Sequence, residues 1–137
     1  MPYVSSMDAQ RIFDAVTDAT RRRILALLVA GGELCVCELI FALRQSQPKV
    51  SRHLGVLKEL GLVLPRREGT WMFYRLRDDL PRWVTDLLAA LAYGAVPELA
   101  ADRPRLATMP GYPRRCLATN GRTPAHAATH IEGADRP

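Results

Sequence analysis

No stretch of this 137-residue chain is apolar for long enough to span a bilayer. Its N-terminus lacks the basic segment and apolar run of a secretory signal, so the expectation is a cytoplasmic protein without a membrane role. There are no internal repeats. A nucleophile–base motif, a phosphate loop and a metal-hydrolase signature are all missing, and the acidic residues are scattered, which argues against an enzyme. Cysteine is scarce and odd in number: Cys35, Cys37 and Cys116. That count excludes a complete disulfide framework and leaves metal binding, redox chemistry or inert burial. Large apolar side chains thin out beyond residue 96, and residues 97–137 hold six prolines. Such a segment buries too little surface to offset its ordering entropy. The expected organisation is one domain over 1–96 followed by a Pro-rich, flexible tail over 97–137.

What the first region does have is periodicity. The chain is 48% hydrophobic, enough for one core. Asp8 is placed to cap a helix carrying Ile12, Phe13 and Val16, and Thr20 a second one carrying Ile24, Leu25, Leu27 and Leu28. Arg21, Arg22 and Arg23 fall in the first turn of that second helix, where they oppose its dipole, a local cost that hints at another use. Gly31-Gly32 ends it. A short helix over roughly 35–43 follows. Ser46 then reads as the N-cap of a helix in which Pro48 is tolerated and Val50, Leu54, Leu57 and Leu60 share a face. Gly61 stops it. Leu62–Leu64 and Trp71–Leu76 flank a basic, glycine-containing turn and predict a β-hairpin. A last helix over 80–94 spreads Trp83, Val84, Leu87, Leu88, Leu91 and Ala92 over a wide apolar face. The fold class is mainly α with a β-hairpin, in the order of a winged helix-turn-helix.

Charge concentrates where that fold would meet DNA. Residues 44–77 contain eight basic and two acidic residues, a net of +6, while the rest of the chain sums to −1. The polar side of the helix after Ser46 offers Ser46, Gln47, Lys49, Ser51, Arg52 and His53. Arg and Gln can read guanine and adenine edges, and the first-turn amides suit a phosphate. Arg66 and Arg67, at the hairpin, are the expected wing contacts to the backbone or the minor groove.

The runs ELCVCEL at 33–39, SQPKVSRHL at 46–54 and LKELGLV at 57–63, with REGTWMFYRL at 67–76, resemble the ArsR/SmtB family of metal-sensing repressors over about residues 8–95. The resemblance implies a homodimer through the first and last helices. It also implies repression from an inverted-repeat operator on double-stranded DNA and release when a metal or metalloid binds. ELCVCEL is similar to the arsenic and antimony branch, which implies As(III) or Sb(III) as inducer, no permanent cofactor, and an arsenic-resistance operon as target.

The residues themselves make a related case. Soft thiolates prefer thiophilic ions, and a helix N-terminus favours the thiolate. Cys35 and Cys37, at i and i+2 of a regular helix, would point to nearly opposite sides. Sharing one ion would then require that turn to unwind, disturbing the reading helix a few residues on. The branch often has a third cysteine where this chain has Ile40, and Cys116 is the candidate replacement. A soft divalent metal such as Cd or Pb, or a thiol-redox switch, is the alternative trigger. His126 and His130 have i, i+4 spacing, but with Pro124 upstream they read as an unstructured stretch rather than a zinc site.

Overall fold

The computed structural model describes residues 8–112. Helix α1 spans Ala9–Ala15 and starts on Asp8, whose carboxylate accepts the Gln10 N–H. Helix α2, Ala19–Gly31, is capped by Asp18 rather than Thr20: the Asp18 side chain accepts from the Arg21 N–H at 3.0 Å. Thr20 lies one residue inside the helix, and its hydroxyl donates to Gln45 Oε1. Gly32 takes φ +78°, a left-handed turn that glycine enters without steric cost, and ends α2.

Strand β1 is only Leu34–Cys35; α3 covers Val36–Leu43 and α4 Gln47–Glu59. Ser46 caps α4, its hydroxyl accepting from the Lys49 N–H, and Pro48 sits in the first turn as its missing N–H permits. Strands β2, Val63–Glu68, and β3, Trp71–Leu76, close around Gly69-Thr70 with Glu68 opposite Trp71. The sheet order is β1-β3-β2, all antiparallel. Helix α5, Arg82–Ala90, runs on into Leu91–Ala95, where Gly94 leaves the helical region and kinks the chain, and α6 covers Leu99–Ala107.

The core gathers around α2, whose Ile24, Leu25, Leu27 and Leu28 are buried with Leu39 and Leu43 of α3, Val50, Leu54 and Leu57 of α4, and Val84 and Leu88 of α5. Each fully buried aliphatic side chain contributes about 1.5–3 kcal/mol. The result is the winged helix-turn-helix that the periodicity predicts, with α3 and α4 as the paired helices and β2–β3 as the wing.

Two further expectations are corrected. The flexible tail does not begin at 97: residues 97–112 fold back, α6 packs on α2 and α3, and Leu106 and Met109 join the core. Their anchor is Asp102, 1% exposed, whose carboxylate is forked by Arg23 at 2.8 Å to each oxygen and also meets Arg105. The arginines opening α2 thus have their use. Arg21 and Arg22 donate to the carbonyls of Ala15 and Val16 at the end of α1, and Arg23 to Leu43 at the end of α3. The other correction concerns the third helix, which starts at Val36, so Cys35 is its N-cap and not one of its turns. Cys116, His126 and His130 lie outside the described residues.

Candidate nucleic-acid interface and cysteine site

Helix α4 presents its N-terminal half outward. Ser46, Gln47, Ser51 and Arg52 are exposed and Lys49 is half-exposed, while Val50, Leu54 and Leu57 hold the opposite face in the core. The helix is entered through Arg44, the described non-glycine residue with positive φ (+56°), and Gln45, which Thr20 ties to α2. Polar side chains on one face of a helix locked from behind are what base reading requires.

His53 departs from the expected set. It is 6% exposed and turned toward α2, where Arg21 Nη1 donates to its Nδ1 at 3.2 Å and Asp18 lies 3.7 Å from Nε2. Burial, with the charges of Arg21, Arg52 and Lys49 adding to it, holds its pKa below the ordinary value of 6.5, against a smaller opposing effect of Asp18. The helical spacing from Val50 to His53 puts it on the edge of the buried face, a position the polar label of histidine conceals.

The two wing arginines also separate. Arg67 is exposed. Arg66 makes two bonds to Glu33, at 2.8 and 2.9 Å, and one to Glu68 at 2.7 Å, and its guanidinium lies 4.7 Å from the centre of the Phe73 ring. Glu33 first, and then Glu68, raise its pKa further above the usual arginine range. Its charge is already matched within the chain.

The cysteines meet at the start of α3. Cys35 has extended backbone angles (φ −76°, ψ 152°) as the N-cap, in a capping box with Glu38, whose carboxylate accepts the Cys35 N–H at 2.8 Å. From that position its side chain turns toward the first helical turn. The sulfurs of Cys35 and Cys37 are consequently 2.9 Å apart with α3 intact. The expectation that i and i+2 sulfurs diverge until the helix unwinds is thus overturned: it holds inside a helix, and Cys35 is outside it.

Phe73 is buried against Cys35, and Cys37 and Trp71 pack on the pair. The Trp71 indole N–H is buried there without an acceptor among the described residues. Burial pushes the Cys35 thiol up to about 11, outweighing the Cys37 amide that lowers it; the Glu38 carboxylate adds a smaller rise, and the Glu38 amide opposes it least. The anticipated lowering by the helix N-terminus is therefore overridden by desolvation. Cys37 is disulfide-bonded. Among the described residues no group of three or more His, Cys, Asp and Glu is arranged to hold a metal ion.

The family model for bacterial regulatory proteins of the ArsR family matches residues 18–64. The chain is 45% identical over 104 residues to the arsenic resistance transcriptional regulator ArsR2 of Pseudomonas putida, covering 76% of this chain and 90% of that one. Among solved structures it is similar to the AntR antimony-specific transcriptional repressor (TM-score 0.52, 28% identity, 64% of this chain and 78% of that one). A homodimeric winged helix-turn-helix DNA-binding domain of Mycobacterium bovis is also similar (TM-score 0.52, 35% identity, 63% and 76%).

Proposed function

The chain belongs to the ArsR family of DNA-binding bacterial regulators, and from that premise we propose that it is a transcriptional repressor released from its operator when trivalent arsenic or antimony binds Cys35 and Cys37. The observation that carries the reading is the pair of sulfurs 2.9 Å apart at the cap of the helix preceding α4. The relatives named for arsenic resistance and for antimony repression support the same inducer class.

The chemistry favours a metalloid over a divalent cation. Trivalent arsenic is carried in neutral water as the uncharged trihydroxide. It condenses with two thiols: two As–O bonds break, two As–S bonds form, and each thiol proton leaves with a hydroxide as water. The product keeps one hydroxyl on arsenic and no net charge, so a buried thiol with a raised pKa, as Cys35 has, is not penalised. Cadmium or lead would need both sulfurs as thiolates, which burial opposes. Cys116, outside the described residues, is the candidate third sulfur. The condensation applies to reduced Cys37, so a thiol reductant belongs in the assay.

DNA is gripped by Ser46, Gln47, Lys49, Ser51 and Arg52 on α4 and by Arg67 on the wing; Arg66 and His53 serve packing. A dimer through α1 and α5 is supported by the exposed Phe13 and Trp83, whose rings lie 5.7 Å apart and join the two helices into one aromatic patch. An inverted-repeat operator would match such symmetry.

The test is release of a duplex carrying the region upstream of the protein's own gene, followed by fluorescence anisotropy during arsenite titration. Wild type is expected to let go, while Cys35→Ser and Cys37→Ser bind DNA and ignore arsenite. Cys116→Ser shows whether a third sulfur contributes. A thiol-redox switch is the second reading, favoured by the disulfide on Cys37. Release by peroxide with no response to arsenite would replace the metalloid reading with that one, and release by cadmium or lead alone would also overturn it.

A further inference from the structure

Cys35 belongs to the sheet as well as to the cap of α3. It stands opposite Phe73 in the β1–β3 pair, and Phe73 stands opposite Arg66 in the β3–β2 pair. Directly opposed residues of antiparallel strands project to one face. Cys35, Phe73 and Arg66 therefore form a row from the cysteine pair to the outer strand of the wing. The row is in contact throughout: Cys35 and Phe73 are 1% and 2% exposed in one cluster, and Arg66 stacks on the Phe73 ring. It closes on itself, because Arg66 is forked by Glu33, two residues before Cys35.

We propose that Phe73, held by Arg66 and Glu33, couples the cysteine pair to the wing, so that metalloid capture shifts β3 and β2 while α3 stays helical. This rests on the sensor reading above, and so on Cys37 in its reduced form, with a thiol reductant present throughout. Placing an arsenic atom between sulfurs 2.9 Å apart in a close-packed interior requires one wall to give. The helix wall is the firm one. Leu39 and Leu43 are in the core, and the Ala42 and Leu43 carbonyls are held by Arg105 and Arg23 on the buried Asp102. The aromatic wall rests on Arg66, Glu33 and Glu68, whose side chains are 35%, 21% and 19% exposed and can exchange partners with water. Phe73 and Arg66 are thus positioning residues, acting on DNA through the wing.

Two measurements on the full chain test this. Hydrogen exchange with and without arsenite is expected to leave the amides of 39–43, the hydrogen-bonded part of α3, protected and to speed exchange in Trp71–Leu76. Loss of protection in α3 with an unchanged wing overturns the proposal. Second, Phe73→Leu and Glu33→Gln are expected to keep arsenite binding, read from Trp71 fluorescence in a Trp83→Phe background, and to keep DNA affinity without arsenite. Their arsenite-driven loss of DNA affinity should fall by about tenfold, within the usual range of coupling between sites. Release as complete as in wild type overturns the coupling and leaves the sensor reading intact. Absence of arsenite binding in wild type removes both. If Phe73→Leu fails to fold, the exchange measurement on wild type still decides.

Discussion

At its C-terminal end α3 hands its last carbonyls to two arginines, whereas at its N-terminal end it begins on a cysteine paired into a sheet. Arg23 and Arg105 at the first end share Asp102, whose side chain is 2% exposed, and they join α2, α3 and α6 at one point. Glu33 and Arg66 at the other end make an ion pair with similar distances but considerably more solvent around it. Where a helix is fixed at one end and loosely joined to a sheet at the other, a local change is taken up at the loose joint, on the sheet side. That end is where the two sulfurs lie. The difference assigns rigidity to the α6 side and response to the wing side, and each can be broken separately.

The largest effect is expected at the fixed end. Asp102→Asn removes the charge that both arginines were desolvated to meet. Breaking a buried ion pair from one side typically costs about 3–5 kcal/mol, and partial exposure of the arginines places this case near the lower figure. Urea unfolding followed by circular dichroism measures it. A loss below about 1 kcal/mol, the level of an exposed pair, would mean that α6 does not anchor the helix-turn-helix.

At the loose end the same kind of substitution should matter far less. Glu33→Gln leaves Arg66 its bond to Glu68 and a solvated position, so the stability change should stay within about 1 kcal/mol. The same unfolding experiment compares the two variants directly. Equal losses would erase the distinction between the ends.

The parts that the amino-acid sequence announces are those fixed by neighbours a few residues away. Ser46 as a cap, Pro48 in the first turn and the Val50–Leu54–Leu57 face are all local signals, and all appear in the structure; the hairpin appears too, but β2 runs on through Pro65 to Glu68, so the expected turn over 65–70 narrows to Gly69-Thr70. The departures come from distant partners. Nothing in residues 33–39 announces that Leu34 and Cys35 will pair with Tyr74 and Phe73, yet that pairing places Cys35 outside the helix and brings the sulfurs together. Residues 97–112 look too poor in large apolar groups to fold. Their main anchor is an aspartate whose partner is 79 residues earlier. Residue type alone makes His53 and Arg66 look like DNA contacts, and each is instead matched by charges from another element.

The smallest expected effect tests the remaining joint, between α4 and α2. His53 is buried beside Arg21, and burial, with the charges of Arg21, Arg52 and Lys49 adding to it against Asp18, holds its pKa below the ordinary 6.5. As pH falls, the unfolded chain takes up the proton first, so the unfolded state binds more protons in the window just below 6.5. The neutral imidazole's contribution is complete above that value and is lost as pH drops through it toward the folded pKa. Protonation also removes the acceptor that Nδ1 offers to Arg21, which has only donors to give. Wild-type stability should therefore decline from about pH 7.5 to about 5.5 more steeply than that of His53→Gln, which cannot titrate. Cys35, Cys37 and the α6 anchor are the same in both proteins, so the difference isolates the ring. A steeper decline in the variant would place the buried proton elsewhere and remove His53 from the account of how α4 is held.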